Sequence, residues 1–592
     1  MQTLVAIGLG VVCYTLGMMA LQSRGRLPSW VRLSGPLVIL ETRRFPVALE
    51  RLARRRRLWQ RIADGGVVVS MALLVVSMGL VLFAAYLAVT RDVASEVNRP
   101  RNALVVPGIN DFLPLAATGE IVVGLFVGIA IHELSHAILA RVEDIDVESM
   151  GLIFLTIVPF GAFVDMDGKE AAASRAGQNR IYAAGVTANL LVAIGCALVL
   201  IALVGSSVSA IGGLAVASTL PGTPADDAGI ERGDVLTEID GVEIDGETAF
   251  AETLADANES VVVDRADGDS VTVNRSVTIT GSPDTGPNTL EPGTTVVAVN
   301  DTTVATESAF ERELAAASET DPEVSVTVVD QTQTERSETV VVGAFVTELT
   351  DDGPLAEAGA PTGEPAVITH IGDHRLVTHE DLFGALEAAT AGETVSVGVA
   401  TDDGYEEYSV TLGTMDKEPY LGVVPQAGIG GLLITDFGVE AYPAAEHLAV
   451  LSGEGHGDVD ITGTPVDRLL ALSFLPFAGM IGLVSENFGG FVGSVTDFYT
   501  VAGPLATLEG GVFVFATILF WTGWFSLLIG FFNCLPAYPL DGGRLIKTNV
   551  TALATRRSLS APERIGTLVA GAATTIAAIS VLIVLFGPML VG

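Results

Sequence analysis

Five consecutive residues of this 592-residue chain, His132-Glu133-Leu134-Ser135-His136, have the types and spacing for metal chemistry. On a helix, positions i and i+4 share one face, so both imidazoles can point at one ion. Glu133 then sits beside the first imidazole, where a carboxylate can take a proton from an activated water. The five fall inside the apolar run LFVGIAIHELSHAILA. Ionisable groups are costly in such a run and mark function. The bland alternative is a pair of structural histidines bonding between helices.

Two imidazoles leave a catalytic zinc short of a ligand, because such sites take three protein ligands plus water. Asp541 is the best candidate for the third. It ends the run LLIGFFNCLPAYPL and opens Asp541-Gly542-Gly543-Arg544, whose glycines let backbones approach closely. Taken alone, Asp541 reads equally well as a helix cap at a membrane surface. Asn189 and Asn533 are amides in apolar helices and need partners. Each can donate to a developing oxyanion or join helix to helix. Asn189 is read as close to the site, and Asn533 as holding the Asp541 loop.

The elements that must carry these residues are mostly membrane spans. Apolar residues make up 49% of the chain and mean hydropathy is +0.52. Spans are expected at 3–21, 66–90, 117–140, 181–205, 511–534 and 565–588. Residues 3–21 lack a charged n-region and a clear cleavage site, so they are read as a retained span. Segment 466–484 is read as re-entrant or surface-lying, broken at Pro476. Residues 23–62 hold 11 Arg, which reads as a cytoplasmic loop rather than a nucleic-acid surface. Arg544, Lys547, Arg556, Arg557 and Arg564 mark a second cytoplasmic loop. Both metal-motif helices then run inward and end on one side. Cys13, Cys196 and Cys534 show no disulfide or thiolate-zinc spacing.

The net charge of −39 does not fit a simple bundle of spans. It is segregated: residues 211–410 hold 41 Asp and Glu against 6 Lys and Arg. That block reads as soluble, extracytoplasmic and solvated by its acids. It also repeats internally. Gly233-Asp234-Val235-Leu236 through Asp240-Gly241 leads to Phe250 and a helical stretch. Gly293 through Asn300-Asp301 leads to Phe310. Ala366 through Gly372 leads to Leu382. Each unit is expected as strand, tight turn, short helix and two strands. With Pro224-Ala225 and Ala228-Gly229 in the first and Pro354-Leu355 and Ala358-Gly359 in the third, the pattern resembles PDZ domains. That resemblance implies peptide ligands added to a sheet edge, or a steric filter without a ligand.

HExxH in one span paired with Asn533-x-x-Pro536-x-x-x-Leu540-Asp541-Gly542 in a later one resembles the site-2 protease family of intramembrane metalloproteases. The resemblance implies Zn²⁺ held by His132, His136 and Asp541, with Glu133 as general base. Pro159-Phe160-Gly161-Ala162-Phe163-Val164 is similar to the family's membrane-dipping hairpin, which implies substrate contact at Pro159, Gly161 and Phe163. Gly185-Val186-Thr187-Ala188-Asn189 is similar to its Gly-Pro-x-x-Asn motif, with Val186 in place of Pro. Gly503-Pro504-Leu505 is similar to a segment preceding its last catalytic span.

The expected fold is a mainly α multi-span membrane protein with an inserted α+β soluble region of PDZ-like repeats. Its parts are 1–115 (first spans and basic loop), 116–208 (first catalytic part), units at 209–284, 285–345 and 346–415, a linker at 416–510, and 511–592 (second catalytic part). The expected activity is intramembrane cleavage of membrane-spanning proteins, either regulated proteolysis or clearance of membrane peptide remnants, in the cell membrane. No nucleic-acid partner is expected. A non-proteolytic scaffold and a metal transporter are the competing readings. An intact HExxH-plus-Asp set argues against the first. Polar residues confined to two motifs argue against the second.

Overall fold

The computed structural model describes residues 2–42, 46–90, 102, 106–110, 112–155, 158–166, 173–415, 417–453 and 464–587. The chain forms two compact units, residues 1–210 with 443–592, and residues 211–442.

The first unit is helical. Its long helices are α1 (Gln2–Ser23), α2 (Arg56–Thr90), α3 (Thr118–Val142), α4 (Arg175–Ser207), α5 (Glu509–Asn533), α6 (Asp541–Arg556) and α7 (Pro562–Phe586). Among the described residues α2, α3, α4, α5 and α7 are long and apolar enough to cross a membrane, so the chain is a membrane protein. α1, expected as a further span, is helical and apolar, with Gly8–Ser23 as its described apolar part. Segment 466–484 is not a span. It is a ten-residue helix, Pro465–Phe474, followed by a tight turn of helix at Leu475–Phe477 that contains Pro476.

Small residues set the helix spacing. A Cβ on Gly124 of α3 would lie 2.8 Å from the backbone N of Thr522 on α5. One on Gly66 of α2 would lie 1.9 Å from Thr187 Oγ1 on α4. Helices in apolar surroundings gain by such close approach, because burying apolar side chains from lipid brings no hydrophobic gain. α3, α4 and α5 thereby pack on one another, and α6 packs on both α4 and α7.

The basic segment is more than a loop. It forms strands β1 (Val31–Ser34) and β2 (Leu37–Thr42), turned at Gly35 with φ +60°. These continue an antiparallel sheet with β3 (Ser149–Leu155) and β4 (Val158–Asp165), in the order β1-β2-β3-β4. Leu40 faces Leu152, and Leu152 faces Ala162. β4 is the end strand of the sheet and packs against α3.

The second unit contains three repeats, each a sheet with one helix of ten or eleven residues, and the first and third also carry a four-residue helix, Pro224–Asp227 and Pro354–Glu357. The first uses strands Leu214–Thr219, Val235–Ile239, Ser260–Arg265 and Ser270–Asn274 with helix Gly246–Asp256. The second uses Val277–Gly281, Thr295–Val299, Glu323–Val329 and Glu335–Val341 with helix Glu307–Ala317. The third uses Ala344–Leu349, Ala366–Ile371, Thr394–Thr401 and Gly404–Thr411 with helix His379–Ala388. Asp240 and Gly241 both take positive φ, the backbone a two-residue hairpin turn needs. Each helix anchors its sheet through one pair of apolar residues a turn apart, Phe250 and Leu254 or Phe310 and Leu314 in the first two.

The tail of this unit was expected as linker from residue 416 onward. Within 417–442 the chain instead completes all three sheets. Val423–Pro425 pairs with the third repeat, Leu433–Thr435 with the second and Val439–Ala441 with the first. These strands are three residues long, too short for an alternating pattern to stand out in the sequence.

Candidate metal centre

α3 carries both imidazoles on one face. His132, His136 and Asp541 are all buried. Asp541 Oδ2 lies 3.3 Å from His132 Nε2 and 3.2 Å from His136 Nε2, and the two Nε2 atoms are 3.3 Å apart. This is a nearly equilateral triangle of ligand atoms. Ligand atoms about 2.0–2.1 Å from a tetrahedral zinc lie about 3.3 Å from each other, so the three fit one face of that tetrahedron. Asp541 Oδ2 is also buried without a conventional hydrogen-bond partner, as a ligand oxygen would be. Among the described residues, this is the cluster of three His, Cys, Asp or Glu groups able to hold a metal.

The far side of each imidazole is held. His136 Nδ1 donates to the carbonyl of Ile181 on α4 at 2.7 Å, which leaves Nε2 free to ligate. His132 Nδ1 lies 3.3 Å from Asn189 Nδ2 on α4, and Asn189 Oδ1 is buried without a partner. If His132 Nε2 faces a metal, Nδ1 carries the proton and needs an acceptor. Turning the Asn189 amide over puts Oδ1 there and satisfies both groups. Asn189 therefore stands beside the His132 ring. Gly185, one turn before it, opens the Gly-Pro-x-x-Asn-like run, and the sequence reading gave it no role of its own. A Cβ there would lie 2.4–2.6 Å from three atoms of the His132 ring. The signal was its position four residues before Asn189, on the same face of α4.

Asp541 begins α6, in the first turn rather than at the cap, which is Leu540. Gly542 and Gly543 press against the preceding loop. A Cβ on Gly542 would lie 2.3 Å from Leu535 O, and one on Gly543 2.6 Å from Tyr538 N. Pro536 is buried in that loop. Asn533 donates to Ile529 O of its own helix at 2.9 Å, so the bond found for it is not to the Asp541 loop.

Glu133 lines a cavity of 1170 Å³ between α3 and the sheet, together with Phe126, Ala130, Leu40, Leu152 and Ala162. Gly161 and Phe163 lie on β4, opposite Ile153 and Gly151. Gly151 has no side chain where the Phe163 ring sits, since a Cβ there would be 2.6 Å from it. Pro159 pairs with Phe154 through the backbone, and its side chain lies outside the described residues.

An uncharacterized protein of Methanocaldococcus jannaschii is 35% identical over 71 residues, 12% of this chain and 20% of its own length. Two Streptococcus pneumoniae proteins, from strain R6 and serotype 4, each bear the name "Putative zinc metalloprotease". Both are 26% identical over 201 residues, 34% of this chain and 41% of their own length. The chain thus spans well under half the length of these curated relatives. The profile of peptidase family M50 matches residues 120–584, a stretch that runs from the start of α3 through α6 and so takes in His132, Glu133, His136 and Asp541 together. By that match the chain belongs to peptidase family M50, the site-2 protease family.

Proposed function

We propose that this protein is an intramembrane zinc metalloendopeptidase that cleaves membrane-spanning protein substrates. The carrying observation is the triangle of His132, His136 and Asp541 on and beside the helix whose Glu133 lines the cavity under the sheet. Bound there, zinc would supply a Lewis acid for the scissile carbonyl and make water nucleophilic near neutral pH. Glu133 takes the proton of the attacking water and delivers it to the leaving amine. Ile181 O and Asn189 hold the two imidazoles in the tautomer that ligates through Nε2.

A helical substrate hides its scissile carbonyl in its own hydrogen bonds and must unwind first. β4, as the end strand of its sheet, offers backbone groups to an extended segment. Pro159, Gly161 and Phe163 would meet the substrate along that strand. By the charge bias of its loops, the protein resides in the cell membrane with residues 211–442 outside the cytoplasm. The three repeats act there as PDZ-like modules that hold or filter peptide segments.

The test is cleavage of a single-span model peptide by the purified, reconstituted chain. Glu133→Ala should lower the rate by about 10²–10⁴-fold while retaining zinc. A zinc chelator should abolish cleavage, and added zinc should restore it. Equal cleavage by Glu133→Ala sinks the mechanism. Zinc flux into vesicles without cleavage would favour the transporter reading.

A further inference from the structure

The β1–β2 hairpin lies upstream of the family match, which begins at residue 120. It still forms a large part of the cavity that Glu133 lines. Ser29, Trp30, Arg32, Leu40, Glu41 and Thr42 of the hairpin and its approach all face that space. A two-stranded hairpin is marginal alone. This one belongs to a four-stranded sheet, because β2 pairs with β3 from Leu37 to Thr42. Glu41 N donates to Trp30 O at 2.8 Å, and Arg32 Nη1 donates to Glu41 Oε2 at 3.1 Å. The wall is therefore tied to the sheet and across its own two strands.

Cross-strand partners share one face of a sheet. Leu40, Leu152 and Ala162 thus form one row across β2, β3 and β4. All three line the cavity. Phe126, Ala130 and Leu134 line it too, and their spacing of four puts them on one face of α3. Glu133 is the neighbour of Leu134 and reaches the same space. Two apolar rows therefore meet beside the proposed general base. The 1170 Å³ of the cavity exceeds the about 300–1,000 Å³ of small-molecule sites and suits a length of peptide chain. The charged hairpin groups in its wall, Arg32 and Glu41, pair with each other, so the rows themselves offer apolar contact.

We propose that these two rows form a subsite for one apolar substrate side chain next to the scissile bond, and that Leu40 sets the size it accepts. The proposal rests on the protease reading above and gives it a specificity-determining residue from outside the family match.

The experiment is cleavage by the full-length, reconstituted protein of single-span peptides that differ only at the two residues flanking the bond cut in the parent peptide. Each position carries Ala, Leu or Trp in turn. At one of them the unaltered protein should favour Leu over Ala by at least about tenfold in kcat/KM, since one methylene in an apolar pocket is worth about 10–200-fold. Leu40→Trp fills the subsite, so it should erase that preference while the Ala peptide is cut at the unaltered rate. Leu40→Ala enlarges it and should speed the Trp peptide by about tenfold. Ile39→Ala, one residue along β2 and so on the opposite face, should leave the order of the peptides unchanged. In a Glu133→Ala background the same order should appear in binding of the labelled peptides, read by fluorescence anisotropy. If both Leu40 variants keep the unaltered order, the proposal is overturned and the protease reading stands. If Leu40→Trp cuts no peptide, Leu40→Ala decides, and no gain for the Trp peptide overturns the proposal. No cleavage of any peptide by the unaltered protein overturns the protease reading, whereas binding without a size order in the Glu133→Ala background overturns the subsite.

Discussion

Gly185→Ala tests how the metal centre is built, using one methyl group. The added Cβ would lie 2.4 Å from Cε1, 2.5 Å from Nε2 and 2.6 Å from Nδ1 of His132. Relaxed contacts between such atoms are about 3.5 Å, so the ring must retreat by about 1 Å. A metal site tolerates about ±0.2 Å in its ligand distances. The ring has little room, because His132 is 5% exposed and its Nδ1 abuts Asn189. Moving α4 away instead would open its contact with α5, where Gly530 sits against Asn189, and overpacking of this kind costs about 1–3 kcal/mol. Zinc affinity should fall by at least the about 10–100-fold typical of losing a ligand's outer support. The assay is zinc bound per chain across a series of competing chelator concentrations, with peptide cleavage measured alongside. Gly195→Ala on the same helix is the control, since no atom lies within 4 Å of its Cβ, and it should behave as the unaltered protein. If Gly185→Ala keeps full zinc affinity and full cleavage, His132 does not ligate from this position and the geometric argument fails.

Asn189→Leu removes the acceptor for His132 Nδ1–H, and zinc affinity should drop about 10–100-fold with the chain still folded, whereas Asn189→Asp should retain most of it. Chelator competition checks this, and unchanged affinity in Asn189→Leu would reduce Asn189 to helix packing. In the second unit, Asp436→Ala strands the buried Arg275 and also removes the acceptor for the N–H of Glu307. Breaking a buried pair this way costs about 3–5 kcal/mol, so hydrogen exchange should accelerate in helices Gly246–Asp256 and Glu307–Ala317. The double variant Arg275→Met with Asp436→Leu should recover much of that protection, and unchanged exchange in Asp436→Ala would refute the clamp.

The candidate metal centre was legible because its residues are compressed into short motifs. HELSH on a helix puts two imidazoles on one face by periodicity, and Asp541 stood out as the carboxylate at the end of another apolar run. The five spanning helices were legible for the same reason, as each is one uninterrupted apolar stretch. What escaped notice was distant pairing. β1 and β2 lie in an Arg-rich segment whose charge suggested loop, yet β2 aligns with β3, more than a hundred residues downstream, through backbone bonds that leave no mark on composition. The run that Gly185 opens was noted, but its packing role escaped, because an absent side chain has meaning only once the ring it admits is known. Asn533 shows the converse: an amide in an apolar helix satisfied by its own i−4 carbonyl, which the sequence could not distinguish from a longer-range partner.

The order in which the tail strands return bears on how a large insertion can interrupt a membrane core. The repeats run first, second, third along the chain, and the closing strands run third, second, first. The last of them, Val439–Ala441, pairs with Leu214–Thr219, the strand with which the first repeat begins. Tyr442 N then donates to Ala215 O at 2.8 Å. Entry and exit of the whole unit are thus neighbouring strands of one sheet. A unit whose ends meet asks the segments on either side only to lie near each other, which costs little loop entropy however many repeats intervene. Repeats closed one at a time would instead leave the exit at the third, far along the array from the entry. By this argument the short tail strands do two things: they complete three sheets, and they bring the unit's exit back beside its own first strand.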